Sequence, residues 1–208
     1  MALADADGER YIAVLGTAET CRAMQVVATH PVRLDSALYE VVVARTCVGS
    51  PSAACSGVVL ALDAHDRRTE ATADAPCAVV GNTTLVDEPR LTEPHAVHAR
   101  LKCTTDVGGG DLEEDQAILR VDAKGPFVVV RGLTRSVLWS AIGDDARCSV
   151  EALGSMRVRG RRVEVVSPDS QAGKGQRIVY RVLGGAREAV IDNPGRDVRV
   201  RFRRTCPK

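Results

Sequence analysis

The 208-residue sequence predicts an all-β protein, an antiparallel β-sandwich built as one large or two small units. Three observations carry that expectation. Short β-branched runs recur along the whole chain, Gly, Pro, Asp, Asn or Ser clusters bound most of them, and helical periodicity is scarce. The 45% hydrophobic content is enough to bury a real core. With aromatics at only 3%, that core must rest on Val, Leu, Ile and Ala.

In chain order the strand-like runs are RYIAVLG, YEVVVART, GVVLALD, CAVVGNTTL, AVHARLKC, QAILRVD, PFVVVRGL, SVLWSAI, RRVEVV, RIVYRVL, EAVI and VRVRF. Trp139, within SVLWSAI, is expected in the core. One short helix is allowed, over residues 18–27 (AETCRAMQVV), with DSALYEVV a second candidate; neither has a paired cap and stop. Gly160 breaks the alternation of MRVRGRRVEVV, as at a hairpin tip or a bulge. Residues 167–176 form a polar loop, Gly184-Gly185 predicts a two-residue hairpin, and Asp192-Asn193-Pro194-Gly195 is a turn cluster. A boundary near residues 104–115 divides the chain into an acidic β-rich unit, 1–105, and a unit with basic strands, 106–208. The alternative is a single domain, 1–208, with a long hairpin loop at that point.

The net charge of +1 hides an asymmetry. Residues 155–208 hold 14 basic and 5 acidic residues, a balance of +9, and residues 1–154 hold 14 and 22, a balance of −8. Side chains two apart share a strand face. Arg157 and Arg159 therefore share one, as do Arg177 and Arg181, and Arg199, Arg201 and Arg203. If these strands are neighbours, they make a field of guanidinium groups. Arginine pairs carboxylate, phosphate or sulfate bidentately, which points to an acidic protein or an anionic, including sulfated, ligand. The plainer reading is a solvated face that resists edge aggregation. Nucleic acid is a poor fit, because Tyr180 and Phe202 fall on the side away from the arginines and no basic recognition helix is present.

Seven cysteines without a CxxC pair argue against a zinc knuckle. Most end strand-like runs, where a disulfide can staple neighbours, and this favours an oxidising compartment over a cytosolic one. The candidate pairs are Cys21 with Cys47, Cys55 with Cys77, and Cys148 with Cys206. The opening MALADADGER lacks the basic and apolar regions of a secretory signal, so either a leader was removed or the chain is cytosolic. No stretch approaches the ~18 apolar residues of a membrane helix. Asn82 begins an N-glycosylation sequon, Asn82-Thr83-Thr84.

Catalytic signals are thin. GxSxG, Walker A and Rossmann motifs are absent, and no cofactor is called for. Asp106, Asp111, Glu113 and Asp115 surround a glycine-rich stretch and form a secondary Ca²⁺ candidate, set against a solvated acidic loop. His95 and His98 lie three apart, on opposite faces of a strand, so they do not converge on a metal. His65 fits a surface hairpin tip. The leading expectation is a non-enzymatic exported or surface module that binds through its Arg-rich C-terminal sheet. The alternatives are a subunit of a particle or filament, joined acidic to basic between copies, and an enzyme with a non-local site.

Overall fold

The computed structural model describes residues 2–4, 10–14, 22–47, 55–63, 72–75, 83–91, 93–108, 110–142, 146–169 and 173–206. They form three antiparallel sheets. The first is a meander of β1 (Ala2–Ala4), β2 (Arg10–Val14), β3 (Arg22–Leu34), β4 (Ala37–Cys47), β5 (Cys55–Asp63) and β6 (Thr72–Asp74). The second runs outward from β7 (Thr84–Asp87) through β8 (Val97–Gly108), β9 (Asp111–Asp122), β10 (Gly125–Ile142) and β11 (Ala146–Leu153) to β16 (Arg201–Thr205). A 3₁₀ turn, Pro89–Leu91, links β7 to β8. The third sheet holds β12 (Ser155–Arg159), β13 (Arg162–Asp169), β14 (Lys174–Arg181) and β15 (Val190–Arg199).

The second sheet is apolar on both faces, and this dictates the layering. Val32, Val41, Val43, Val59 and Ala61 of the first sheet share one core with Leu85, Ala99, Leu101, Ala117, Leu119 and Val121 of the second. Ile118, Val129 and Val130 of the second share another with Met156, Val158, Val163 and Val165 of the third. A strand covered on both sides loses the polar half of its alternation. In β9, accordingly, Ala117 through Val121 are all buried. Truncating one of these Val or Leu side chains to Ala costs about 2–4 kcal/mol.

Turn chemistry agrees with the ladders. Leu34 pairs with Ala37, leaving Asp35-Ser36 as a two-residue turn, and Asp35 takes φ 53°. Aspartate tolerates that region better than most residues, and such hairpin turns require it. Arg159 pairs with Arg162, so Gly160 (φ 57°) and Arg161 form the β12–β13 tip.

Several expectations need correcting. The 18–27 helix candidate is strand from Arg22 onward, because β3 finds partners in both β2 and β4; residues 18–21 lie outside the described residues. DSALYEVV is the β3–β4 turn and the start of β4. Paired edges on both sides outweigh a weak local preference for helix. Asp192-Asn193-Pro194-Gly195 is not a turn but the bulged middle of β15, where the register jumps between Arg177↔Arg196 and Val179↔Asn193. Gly184-Gly185 does not close a two-residue hairpin. The β14–β15 connection spans residues 182–189 and is fastened by Val182 N–H donating to the Arg161 carbonyl and by Arg187 stacking on Phe127, 4.3 Å from the ring centre. Much of the 167–176 loop is ladder, since Ser167↔Gln176 and Asp169↔Lys174 pair. The 104–115 stretch supplies the facing arms of the β8–β9 hairpin. Trp139 is 45% exposed, near the end of β10 and beyond the core.

Candidate anion-binding face

In the third sheet one face is apolar and the other is built of arginine. Met156, Val158, Val163 and Val165 turn inward and are buried. The alternate residues turn outward, and the register sets them in rows across the strands. One row is Arg159, Arg162, Arg181 and Val190; the next is Arg157, Glu164, Val179 and Asn193; the third is Ser155, Val166, Arg177 and Arg196. Three guanidinium groups thus stand abreast on β12, β13 and β14. Like charges opposite one another destabilise a sheet unless something offsets them.

Two carboxylates do so. Asp192, brought to the face at the β15 bulge, accepts from Arg162 at 2.9 Å and from Arg181. Glu164 accepts from Arg177 and lies in the fields of Arg159 and Arg157. The Arg177 hydrogen bond holds Glu164 below the ordinary carboxylate range, and the Arg181 hydrogen bond does the same for Asp192. Sequence reasoning named Arg157, Arg159, Arg177 and Arg181 and missed Arg162 and Arg196 on the same face. Arg162 follows the hairpin tip, and Arg196 follows a bulge, so neither keeps step with its neighbours in the sequence.

The stretch 197–204, expected as one strand, is two. Arg199 ends β15 opposite Lys174, on the face away from Arg177 and Arg196. At Val200 the chain crosses from the third sheet to the second, and Val200 N–H donates to the Gly173 carbonyl at 3.1 Å. Gly175 makes room, since a Cβ there would lie 2.6 Å from Val200 Cγ1 and 2.5 Å from the Ser167 carbonyl oxygen. Arg201 and Arg203 then pair with Leu153 and Glu151 of β11. The seven predicted arginines therefore fall in three places: the outer face of the third sheet, its end, and the edge of the second. Glu151, Leu153, Arg201, Phe202 and Arg203 line a recess of about 350 Å³ beside β16. Glu151 is held by Arg135 at 2.7 Å. Among the described residues, no carboxylate lies within ion-pair distance of Arg199, Arg201 or Arg203.

Cys148 and Cys206 form a disulfide that continues the β11–β16 ladder by one pair. Cys103, left out of the expected pairs, is disulfide-bonded too. Cys47 and Cys55 are direct Cα partners in the β4–β5 ladder. Cys21, Cys77, Asn82 and His65 lie outside the described residues.

The acidic Ca²⁺ candidates do not converge. Asp106 pairs with Leu112 and Cys103 with Asp115, which sets Asp106 on the face away from Glu113 and Asp115. Asp111 instead accepts from the Trp139 backbone N–H at 2.7 Å. No group of three potential ligands is found among the described residues. Burial, aided by Glu113 and opposed by Arg131, pushes the Asp115 carboxyl up to about 6.

His95 sits in a turn (φ 61°) against Asp35 at 2.8 Å, exposed, whereas His98 is buried in β8. Near His98 lies a polar cluster that sequence reasoning did not foresee. Glu93 accepts from Arg161 Nη1 at 2.7 Å and from Gly185 N–H at 3.0 Å, and lies 3.5 Å from Arg120 Nε. Burial pushes the Glu93 carboxyl up, but Arg161, the Gly185 amide, His98 and Arg120 more than offset it and leave it below its ordinary value. Arg161 and Gly185 belong to two loops of the third sheet, so this carboxylate ties that sheet to the second. Among the described residues no helix is long and apolar enough to cross a membrane. No known protein family, curated protein or solved structure matches the chain.

Proposed function

We propose that the protein is a non-enzymatic exported or surface module that binds an acidic protein or another anionic ligand through its arginine-rich C-terminal region. The observation that carries this reading is the imbalance on the outer face of the third sheet. Among the described residues, Arg157, Arg159, Arg162, Arg177, Arg181 and Arg196 share that face with two carboxylates, Glu164 and Asp192. Guanidinium groups fixed by a ladder offer bidentate donors at strand spacing, and their field steers anions toward them. The disulfide-fastened strand β16 carries a separate basic stretch, Arg201, Arg203 and Arg204, at the edge of the second sheet.

Titrating a sulfated polysaccharide and an acidic protein over a salt series tests the reading. Affinity should fall as salt rises. Replacing Arg157, Arg159 and Arg196 by Ser, which leaves the ion pairs of Glu164 and Asp192 in place, should weaken binding about tenfold or more. Unchanged affinity for both probes in that variant and in the Arg199, Arg201 and Arg203 triple Ser variant would refute it.

The charge asymmetry between residues 1–154 and 155–208 favours a second reading, in which copies assemble acidic to basic. Light scattering that shows a strict monomer at low salt and high concentration excludes it.

A further inference from the structure

We infer that the outer edge of β16 takes up an extended acidic peptide of a partner protein, which joins the second sheet as an additional strand. The inference rests on the anion-binding reading and narrows it to one edge and one class of partner. β16 is the outermost strand of its sheet, and all five of its residues are exposed. It pairs with β11 over five consecutive residues without a register shift, so the opposite side presents regularly spaced backbone donors and acceptors. No strand covers that side among the described residues.

The other edges are blunted or short. β15 carries Pro194 and two register shifts, which spoil it as a template. Two carbonyls of β12 are already taken, because Arg90 Nη1 donates to the Val158 oxygen at 3.0 Å and Arg100 Nη1 to the Met156 oxygen at 3.2 Å. β1 and β6 have three residues each, and β7, the far edge of the second sheet, has four, all shorter than β16.

Charge selects the occupant. Arg201 and Arg203 share one face of β16, and Phe202 and Arg204 the other. A second copy of β16 would bring arginine against arginine. A strand with carboxylates at alternate positions places them beside Arg201 and Arg203 and lays its apolar residues along Phe202. The recess formed with Glu151 and Leu153 admits a side chain, and Arg135 already offsets the Glu151 charge. The Cys148–Cys206 disulfide holds β16 in place before binding, so little ordering entropy is lost when the guest arrives. Backbone pairing of this kind supplies affinity, and alternate side chains supply specificity.

Three labelled hexapeptides of equal charge test the inference on the unmodified protein, read by fluorescence anisotropy. They are Glu-Val-Glu-Val-Glu-Val, its block isomer Glu-Glu-Glu-Val-Val-Val, and the alternating peptide with every internal amide N-methylated. The alternating peptide should bind about tenfold more tightly than either control, and R201S/R203S should remove that advantage. Equal binding of the three peptides, or binding of none, overturns it. A sulfated polysaccharide run in parallel separates the two ideas. Arginine-dependent polysaccharide binding beside three equal peptides sinks the strand addition alone, and loss of all binding sinks both.

Discussion

His98 stands directly opposite Arg120 across the β8–β9 ladder, and neither nitrogen of its ring has a hydrogen-bond partner among the described residues. Burial pulls the His98 pKa down; Glu93 and Glu88 act the other way, and Arg120 and Arg161 reinforce it. A histidine with a depressed folded pKa stays neutral in the native state while the unfolded chain takes up a proton near pH 6.5. Stability should therefore hold above that point and fall as pH drops from about 6.5 toward the folded value. Urea midpoints at pH 7.5 and 5.5 measure the loss. A His98→Leu variant should lose less over that interval, and an identical loss in both proteins would place the acid sensitivity elsewhere.

Glu93→Gln tests the tie between the second and third sheets. The variant leaves Arg161 and Arg120 beside a neutral amide. Removing one partner of a buried ion pair costs about 3–5 kcal/mol, and the half-exposed Arg161 brings the expectation to about 2–3 kcal/mol. Chemical denaturation reads the total. Proteolysis should also find the 182–189 connection more readily, because the single amide oxygen left at position 93 cannot serve both Arg161 and the Gly185 N–H as the two carboxylate oxygens do.

Asp115 runs the other way. Its folded pKa, about 6, lies above the ordinary value, so the native state binds the extra proton between about pH 4 and 6. Its contribution to stability is favourable below that window and is lost as pH rises through it. Asp115→Asn should stabilise the protein at pH 8 by on the order of 1 kcal/mol, with the gain vanishing near pH 4. Thermal melts at the two pH values check this, and an equal gain at both would remove the charge as its cause.

Removing Cys148 and Cys206 together opens a cross-link between residues 58 apart in sequence. The loop-entropy relation puts the cost at about 4 kcal/mol. Hydrogen exchange should quicken first at Arg201–Thr205, where every residue is already exposed and only one ladder remains.

Much of this fold was legible in the chain because alternation survives wherever one face is buried and the other wet. Met156 and Val158 inward, Arg157 and Arg159 outward, is the pattern that the letters carry. Legibility failed where the chain changed phase. Pro194 and Gly195 sit in a bulge rather than a turn, and neither their composition nor their spacing separates the two. Val200 looks like one more inward residue of a continuous strand, yet the room that Gly173 and Gly175 leave for the crossing is a fact of tertiary packing. The cluster of buried Glu93, His98 and Arg120 with half-exposed Arg161 was hidden for a similar reason: its members come from separate loops and strands, and each alone looks like a surface group. Cys148 with Cys206 was legible from their positions at strand ends, whereas Cys103 was passed over.

Leu153 and Arg201 are adjacent partners in one ladder, although the entire third sheet lies between them in sequence. Topologically, everything from Gly154 to Val200 is an enlarged hairpin loop that folded into a cassette of its own. Lengthening a connection that much costs only about 2 kcal/mol in closure entropy, a sum that four strands and a shared core readily cover. The cassette is therefore insertable without being dispensable: a short turn joining residue 153 to residue 201 preserves both neighbours of β11 but bares Ile118, Val129 and Val130, so a replacement grafted at the same two points must bring an apolar face of its own.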